Sequence, residues 1–174
     1  ASILPLYFVA TSSEYRLSRI ETWLSRKCDL GIDLLGDCFQ LNQSRIAISS
    51  GGLFGLGPGT SRARWGSLPN SYSDFISSII GEEYGFFGLF LLVLAFFILI
   101  STTFLIAIRE KNEIKKLISV GFGSWIFFQT VINLGGAVGI VPITGIVLPF
   151  VSYGSSAMIS IFIALGIMYS RDYE

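Results

Sequence analysis

The chain has 174 residues, of which 52% are hydrophobic and 14% are charged, and its 12 basic residues balance its 12 acidic ones. This balance excludes the basic footprint of a nucleic-acid-binding protein, and the absence of histidine excludes a His/Cys zinc site. A soluble domain usually has about 25% charged residues. The composition therefore favours an integral membrane protein over a soluble protein with a large helical core.

The first residues include a short apolar run, from Ile3 to Ala10. This run is too short to cross a bilayer and no basic segment precedes it, so it is not a signal peptide. We interpret residues 1–10 as the end of a transmembrane helix whose beginning is missing, and the sequence as the C-terminal part of a longer protein.

A long polar stretch, residues 11–84, follows this run. Apolar residues at helical spacing predict a helix over Tyr15–Leu24 and a second, short amphipathic piece over Gln40–Ile48. The segment Gly51–Thr60 has five glycines and one proline, which predicts a tight, irregular turn. No Gly-Lys-Ser/Thr sequence completes a phosphate-binding loop there, so we reject that interpretation.

Two uncharged stretches dominate the rest of the chain: 23 residues from Phe86 to Ile108 and 54 residues from Leu117 to Ser170. A bilayer core of roughly 30 Å needs about 20 apolar residues of helix. The first stretch is therefore one span, and the second is two spans interrupted near Pro142 and Pro149. We assign transmembrane helices to residues 85–108, 117–141 and 152–170, with a Pro/Gly loop at 142–151.

The connector 109–116 sets the orientation, because it holds four basic residues in eight positions. Short basic loops stay in the cytoplasm. The polar stretch 11–84 and the loop 142–151 then lie outside the cytoplasm, whereas the tail 171–174 lies inside it. An outside location permits a disulfide between Cys28 and Cys38, with two free thiols as the alternative.

Asp74 has two interpretations that spacing alone leaves open. It follows Ser71 as Ser-x-x-Asp, the spacing of a capping box at a helix N-terminus. Continuing that helix places Ser78 one turn and Glu82 two turns further along the same face. Placing an ionisable group at the edge of a membrane helix bundle costs free energy, and such groups are usually functional. The same carboxylate is therefore also a candidate catalytic group.

Other polar residues also have a structural and a functional interpretation. Arg62 and Arg64 can hold an anionic headgroup by charge-assisted hydrogen bonds, or they can simply be solvated. Gln129 and Asn133 lie four residues apart within a predicted span, where amide side chains usually join neighbouring helices.

Four segments, in order along the chain, resemble the motifs of one family. They are YRLSRIETWL (15–24), QSRIAISSGGLFGLG (43–57), LPNSYSDFISSIIGEEYGFFG (68–88) and NLGGAVGIVPITGIVLPFVSYGSS (133–156). On these segments, which cover nearly the whole chain, the sequence is similar to the SEDS family (shape, elongation, division and sporulation) in its FtsW/RodA branch. The Tyr15-Arg16 pair and the Arg-Asp-Tyr-Glu tail favour the division members.

The resemblance implies an all-α, polytopic bundle of ten transmembrane helices, of which this chain matches the end of the seventh through the tenth. It also implies a peptidoglycan glycosyltransferase of the bacterial cytoplasmic membrane, which polymerises lipid II together with a class B penicillin-binding protein. Two other functions stay open: a lipid II flippase and a non-catalytic scaffold of the division machinery. A transporter would place charged residues near the midplane of its spans, and the three predicted spans contain none.

The same resemblance assigns roles to individual residues. The aspartate of the family's Thr-Asp-Phe motif falls on Asp74, which implies a general base toward the 4-hydroxyl of the acceptor sugar. The predicted substrate-binding residues are Arg62, Arg64, Ser73, Ser78 and Glu82. No cofactor motif is evident, and a divalent cation, Mg²⁺ or Mn²⁺, would screen the diphosphate.

The chain departs from the family's pattern at several polar positions. Asn70 replaces a glutamate, Tyr72 a histidine and Ser73 a threonine, and Thr144 stands where many division members have a lysine. These departures affect the polar positions around the catalytic aspartate of the motif, whereas the aspartate itself is present as Asp74.

Overall fold

The computed structural model describes residues 14–25, 28, 38–66, 68–69 and 71–169, and this part of the chain is helical without a β-strand. The predicted first span end, 1–10, and the predicted tail, 171–174, lie outside the described residues. The helices are α1 (Glu14–Leu24), α2 (Phe39–Ser50), a 3₁₀ turn (Ala63–Trp65), α3 (Ile76–Arg109), α4 (Glu113–Val138) and α5 (Ser155–Tyr169).

Two of these helices, α3 and α4, are long and apolar enough to cross a membrane. The 26 residues of α4 extend about 39 Å at 1.5 Å per residue, which exceeds the roughly 30 Å of a bilayer core. The apolar helix α5 has 15 residues and starts three residues after the predicted beginning of the third span. The chain before it, Ile140 to Gly154, is non-helical, as the prolines at 142 and 149 predict.

A kink at Gly85 divides α3 near the predicted boundary between the polar stretch and the first span. Gly85 has φ 66° and ψ −158°, a conformation that is essentially restricted to glycine. The residues before it, 76–84, form a short helix within the predicted loop, and the residues after it form the apolar span. The break frees backbone groups of α3, which then need partners outside the helix.

The glycine-rich segment 51–60 supplies those partners. Its first part lies so close to the kink that a Cβ atom on Gly55 would collide with the carbonyl of Glu83, and one on Gly85 would collide with the backbone of Leu53 and Gly55. Four backbone hydrogen bonds join the two segments: Phe86 N–H to Gly52 O (2.9 Å), Phe87 N–H to Leu53 O (3.2 Å), Leu56 N–H to Glu82 O (2.9 Å) and Gly57 N–H to Glu83 O (3.0 Å).

The core has two parts, both of which include residues of α4. One lies among α3, α4 and α5 and consists of Phe96, Phe122, Ile126, Leu148, Ile161 and Met168. The other lies under the polar segments and consists of Ala47, Ala63, Leu68, Phe75 and Ala137. In its most apolar window, 33% of α4 is buried, compared with 11% of α3, so α4 is the central helix of the described part.

Cys28 and Cys38 form a disulfide, the first of the two states that the sequence left open. The bridge connects the chain after α1 to the residue that precedes α2, and Cys38 is fully buried. The crosslink closes a loop with a sequence separation of 10 residues. It restricts the unfolded chain and typically contributes about 2–4 kcal/mol of stability.

We expect Gly85→Ala to destabilise the fold by about 2–4 kcal/mol, because it combines a glycine-only backbone conformation with a steric collision. Gly121→Ala is the matched control: Gly121 is exposed within α4 and a Cβ there meets nothing within 4 Å. Removing a helical glycine at such a site stabilises by roughly 0.5–1 kcal/mol. Thermal unfolding of the two variants in detergent should therefore shift in opposite directions, and similar shifts would contradict this account of the kink.

Candidate active site

Asp74 lies in a turn, residues 71–74, immediately before α3. The helix begins at Ile76, and its N-cap, Phe75, makes no side-chain capping hydrogen bond. The capping-box interpretation of Ser71 and Asp74 is therefore wrong. The physical reason is that the turn is bound by other parts of the molecule, which hold Asp74 outside the first helical turn.

Each of the three carbonyls before Phe75 accepts a hydrogen bond from a distant part of the chain. The amide Nδ2 of Asn133, in α4, donates to Asp74 O at 3.1 Å. The hydroxyl of Ser152 donates to Ser73 O, and the backbone N–H of Tyr153 donates to Tyr72 O at 3.0 Å. The position of Asp74 is thus fixed by its backbone, while its side chain is not used as an anchor.

The two amides of α4 bind irregular backbone rather than neighbouring helices. Asn133 also donates to Ile146 O at 2.7 Å, and Gln129 donates to Val147 O at 2.9 Å. Non-helical backbone at the end of a membrane bundle needs such donors, since lipid offers none. The prediction that Gln129 and Asn133 join helices is therefore corrected: they hold the segment 142–151 and the Asp74 turn.

The carboxylate of Asp74 is half-buried and faces Gly145. A Cβ atom on Gly145, which has φ 72°, would lie 3.5 Å from Oδ2 of Asp74. Between them is a small cavity of about 10 Å³, also lined by Asn133 and Thr144, which is close to the space that one water molecule requires. Among the described residues, none donates a hydrogen bond to this carboxylate, so its oxygens are available to a ligand.

Glu82 is buried, with 2% of its surface exposed, and it organises the segment that carries Arg62 and Arg64. Its carboxylate accepts hydrogen bonds from the hydroxyl of Ser61 at 2.6 Å and from the backbone N–H groups of Arg62 and Ala63, both at 3.1 Å. These N–H groups begin the 3₁₀ turn, where helical partners are lacking. The expected direct contact between Glu82 and the substrate is thus corrected: this carboxylate shapes a loop.

Ser78 is completely buried and is also corrected as a substrate ligand. Its Oγ lies 2.7 Å from Oγ of Ser44, and the Ser44 hydroxyl donates to Ala137 O at 2.6 Å. Because a hydroxyl has one proton, Ser78 must be the donor to Ser44. The three residues join α3, α2 and α4 and leave Ser78 no access to a ligand.

Arg62 and Arg64 have exposed side chains. The guanidinium of Arg64 donates from Nε to Tyr72 Oη at 3.4 Å, and its centre lies 5.9 Å from the ring of Tyr72 and 5.5 Å from that of Trp65. The hydrogen bond to Tyr72 raises the pKa of Arg64 above its ordinary value, so the group stays charged. The structure thus brings Arg64 into contact with Tyr72, which together with Ser73 belongs to the turn of Asp74, whereas Ser78 and Glu82 are buried in supporting contacts.

The described residues do not form a protein-only metal centre, since they contain no group of three His, Cys, Asp or Glu side chains that could hold an ion. At the Asp74 turn they offer a single accessible carboxylate. Mg²⁺ is often held by one or two carboxylates together with substrate phosphates. These residues therefore fit a divalent cation only as an ion shared with a bound phosphate group.

We expect Glu82→Gln to loosen the segment 62–66, because charge-assisted hydrogen bonds to a buried carboxylate contribute about 1.5–3 kcal/mol each and an amide nitrogen cannot accept them. Hydrogen exchange at the N–H groups of Arg62 and Ala63 should become faster. The control is Glu113→Gln, because Glu113 is 86% exposed and pairs with Lys116 only at 3.9 Å. Unchanged protection of Arg62 and Ala63 in Glu82→Gln would contradict the role assigned to this carboxylate.

Comparison with known proteins places this chain in a family. The FTSW_RODA_SPOVE family model, described as "Cell cycle protein", matches residues 1–174. The chain is 37% identical over 175 residues to the probable peptidoglycan glycosyltransferase FtsW of Wigglesworthia glossinidia brevipalpis, which covers 99% of this chain and 45% of that protein. It is 45% identical over 130 residues to the probable peptidoglycan glycosyltransferase FtsW of Bacillus subtilis, covering 74% of this chain and 32% of that protein.

Two further matches extend this result. The stage V sporulation protein E of Bacillus subtilis is 40% identical over 165 residues, which are 92% of this chain and 44% of that protein. A solved chain, from work described as "Structural coordination of polymerization and crosslinking by a peptidoglycan synthase complex", superposes with a TM-score of 0.65 at 27% identity, over 96% of this chain and 44% of that chain. The chain thus spans less than half the length of these relatives. Since the family model covers all of its 174 residues, the chain belongs to the FtsW/RodA/SpoVE family of cell cycle proteins, and its fold is the helical membrane bundle of that family.

Proposed function

We propose that the chain carries the polymerising centre of a peptidoglycan glycosyltransferase, which joins lipid II into glycan strands at the outer face of the bacterial cytoplasmic membrane. The observation that carries the proposal is the Asp74 carboxylate, which is held by its backbone and accepts no hydrogen bond from the described residues. The relatives named as probable peptidoglycan glycosyltransferases support the reaction class. The basic connector 109–116, which would lie in the cytoplasm, supports the outer location of Asp74.

In this proposal Asp74 is the general base. The 4-hydroxyl oxygen of the acceptor sugar forms a bond to C1 of the donor sugar, and its proton passes to the Asp74 carboxylate. The bond between C1 and the diphosphate oxygen breaks, and the lipid diphosphate leaves with the electron pair. A base must lie within hydrogen-bond reach of the proton that it removes. Three backbone anchors at residues 72–74 set that position without occupying the carboxylate.

Arg64 and Arg62 are proposed to bind the anionic part of the substrate. Arg64 keeps its charge beside Tyr72, two residues from Asp74, and a guanidinium matches phosphate oxygens with paired N–H groups. Glu82 then acts as a positioning residue, because it shapes the turn that presents both arginines. A divalent cation, if one takes part, would be shared between Asp74 and the diphosphate and would neutralise the leaving group.

A membrane-embedded transpeptidase with one transmembrane helix, a class B penicillin-binding protein, is the proposed partner. The solved relative comes from work described as concerning polymerization and crosslinking by one synthase complex, which supports such an assembly. Large apolar residues of α3 are exposed on one side, among them Phe90 (51%), Leu94 (38%) and Phe97 (66%). The centrally buried α4 offers a smaller free surface, so α3 is the proposed contact for the partner's helix.

We expect Asp74→Asn, in the full-length protein, to abolish lipid II polymerisation, because the amide cannot accept the proton. Membrane insertion and thermal stability should be retained, since the anchors of this turn are backbone carbonyls. Glu113→Gln, which removes an exposed carboxylate near the opposite end of α4, should polymerise at the wild-type rate. A polymerisation assay with purified protein and lipid II checks both variants. Near wild-type activity of Asp74→Asn would contradict the catalytic role of Asp74, whereas absence of polymerisation by the wild-type protein would favour a non-catalytic scaffold.

The partner proposal predicts that photo-crosslinkers at Phe90, Leu94 and Phe97 capture the transpeptidase in membranes. A crosslinker at Phe96 is the matched control, because this neighbouring side chain is only 6% exposed and belongs to the core shared with α4 and α5. Capture from the first three positions but not from Phe96 would support a helix on this face of α3. If crosslinkers at Phe90, Leu94 and Phe97 capture only lipid, the interface with the transpeptidase lies on another part of the protein.

A further inference from the structure

An apolar surface patch continues from the span of α3 onto the glycine-rich segment 51–60. Three large side chains of this segment are exposed: Phe54 by 78%, Leu53 by 61% and Leu56 by 49%. The ring of Phe54 stacks on that of Phe87, with the ring centroids 5.4 Å apart. Phe87 is the second residue of the uncharged stretch that forms the span. The segment and the N-terminal end of the span thus present one continuous apolar surface.

The stacked rings also fix the level of the segment in the membrane. The uncharged stretch of α3 has 23 residues, which extend about 35 Å as a helix, compared with roughly 30 Å for a bilayer core. Phe87, near one end of that stretch, therefore lies at the boundary between the hydrocarbon core and the headgroups. Phe54 lies at the same level, because its ring is in contact with the ring of Phe87.

Backbone at this level needs hydrogen-bond partners within the protein, because lipid provides none. Four hydrogen bonds join the segment to the break in α3. Two more pair groups of the segment with each other: Gly55 N–H donates to Gly51 O at 2.7 Å, and Thr60 N–H donates to Gly57 O at 3.3 Å. The irregular segment can therefore lie at the membrane boundary without the free-energy cost of leaving these groups unpaired.

Charged side chains are absent from the surface of this segment. Residues 46–61 contain none, and the two acidic residues whose carbonyls bind the segment, Glu82 and Glu83, are buried. The next residue, Tyr84, is exposed, and tyrosine is enriched at membrane–water interfaces. The patch therefore has the composition of a surface that contacts the membrane interface.

We propose that the segment 51–57 is a membrane anchor, in which Leu53, Phe54 and Leu56 insert among the lipids at the boundary of the hydrocarbon core. Apolar side chains at this level bind a membrane through the apolar area that they bury in it. A single helix packed along α3 would cover one side of that helix, whereas lipid covers the exposed side chains of both the segment and the span. The alternatives are that water or another helix of the protein covers the patch.

The anchor also sets the level of the candidate site relative to the membrane. The segment is bonded to the break in α3, and the short helix 76–84 connects that break to the turn of Asp74. A segment held at the hydrocarbon boundary thus keeps Asp74 close to the polar surface of the bilayer. Only the use of that position rests on the proposed function, because a lipid-linked diphosphate has its polar group at the same surface.

Spin labels on the full-length protein in vesicles test the anchor. Phe54→Cys or Leu56→Cys, as the only free thiol, is labelled and reconstituted without the transpeptidase into vesicles of phosphatidylethanolamine and phosphatidylglycerol. Collisions of each label with oxygen, which concentrates in lipid, and with a nickel chelate, which stays in water, are then measured. The lipid reference is Leu91→Cys, at an exposed position of the span, and the water reference is Glu113→Cys, at an exposed position at the start of α4.

We expect the ratio of oxygen to nickel collisions at Phe54→Cys and Leu56→Cys to lie near that of Leu91→Cys and to exceed that of Glu113→Cys several-fold. Nickel access as high as at Glu113→Cys would show that the segment is solvated. Low access of both reagents would show that another part of the protein covers the patch. Either of these two results would overturn the proposal.

A charge on the segment gives a second measurement. Phe54→Asp should draw water to the segment and lower the collision ratio at Leu56→Cys several-fold, whereas its apolar counterpart Phe54→Leu should leave that ratio unchanged. The hydrogen bonds that hold the segment are formed by backbone groups, so both variants should fold with similar thermal stability. Equal ratios in the two variants would contradict insertion into lipid.

The anchor and the proposed reaction can fail separately. Asp74→Asn should retain the lipid-like collision ratio at Phe54→Cys while it loses polymerisation. If Asp74→Asn polymerises lipid II normally, the catalytic role of Asp74 fails and the anchor stands. If polymerisation requires Asp74 but the ratio at Phe54→Cys is that of a solvated position, only the anchor fails.

Discussion

The amide of Asn133 is the contact on which the candidate site depends. It projects from the central helix α4, and its two N–H groups satisfy the carbonyls of Asp74 and Ile146. Both carbonyls belong to backbone without helical hydrogen bonds, and a membrane provides no water to replace them. One side chain thus joins the turn that carries the carboxylate to the segment that faces it. Truncation of this amide would leave two acceptors unsatisfied and both segments without a common support.

A second constraint is the break in α3 at Gly85, which changes the direction of the helix where the polar segments meet the apolar span. The break exposes backbone groups that the glycine-rich segment 51–60 satisfies. Two residues of the short helix before the break then serve the loop that carries the arginines and the core beneath it: Glu82 accepts three hydrogen bonds from residues 61–63, and Ser78 joins α2 and α4. Gly85, Glu82 and Ser78 thus belong to one framework, and this framework holds Asp74 in position.

The segment after α4 connects the polar helices to the Asp74 turn. Its residue Ile143 accepts a hydrogen bond from Arg19, the preceding Val138 at the end of α4 accepts one from Arg45, and Gly145 faces the Asp74 carboxylate on the other side. This segment has no regular secondary structure, so its conformation depends on side chains from α1, α2 and α4. A change in any of these contacts would therefore alter the segment that faces Asp74, so Arg19, Arg45 and Asp74 share one support although they are far apart in the chain.

The sequence by itself determined the helical class, the long apolar spans and the irregular chain near Pro142, because charge depletion, hydrophobic length and proline are local properties. It also identified Asp74 as the leading residue, through the resemblance of its surroundings to the family's motif. Only the tertiary structure decided that Asp74 precedes its helix instead of capping it, and that Ser78 and Glu82 are buried supports. Those outcomes depend on hydrogen bonds between residues far apart in the chain, such as Asn133 with Asp74, 59 positions away, and Ser44 with Ala137, 93 positions away, and no local pattern contains such pairs. The contacts of Arg19 with Ile143 and of Arg45 with Val138 were missed for the same reason, since they join segments that only packing brings together.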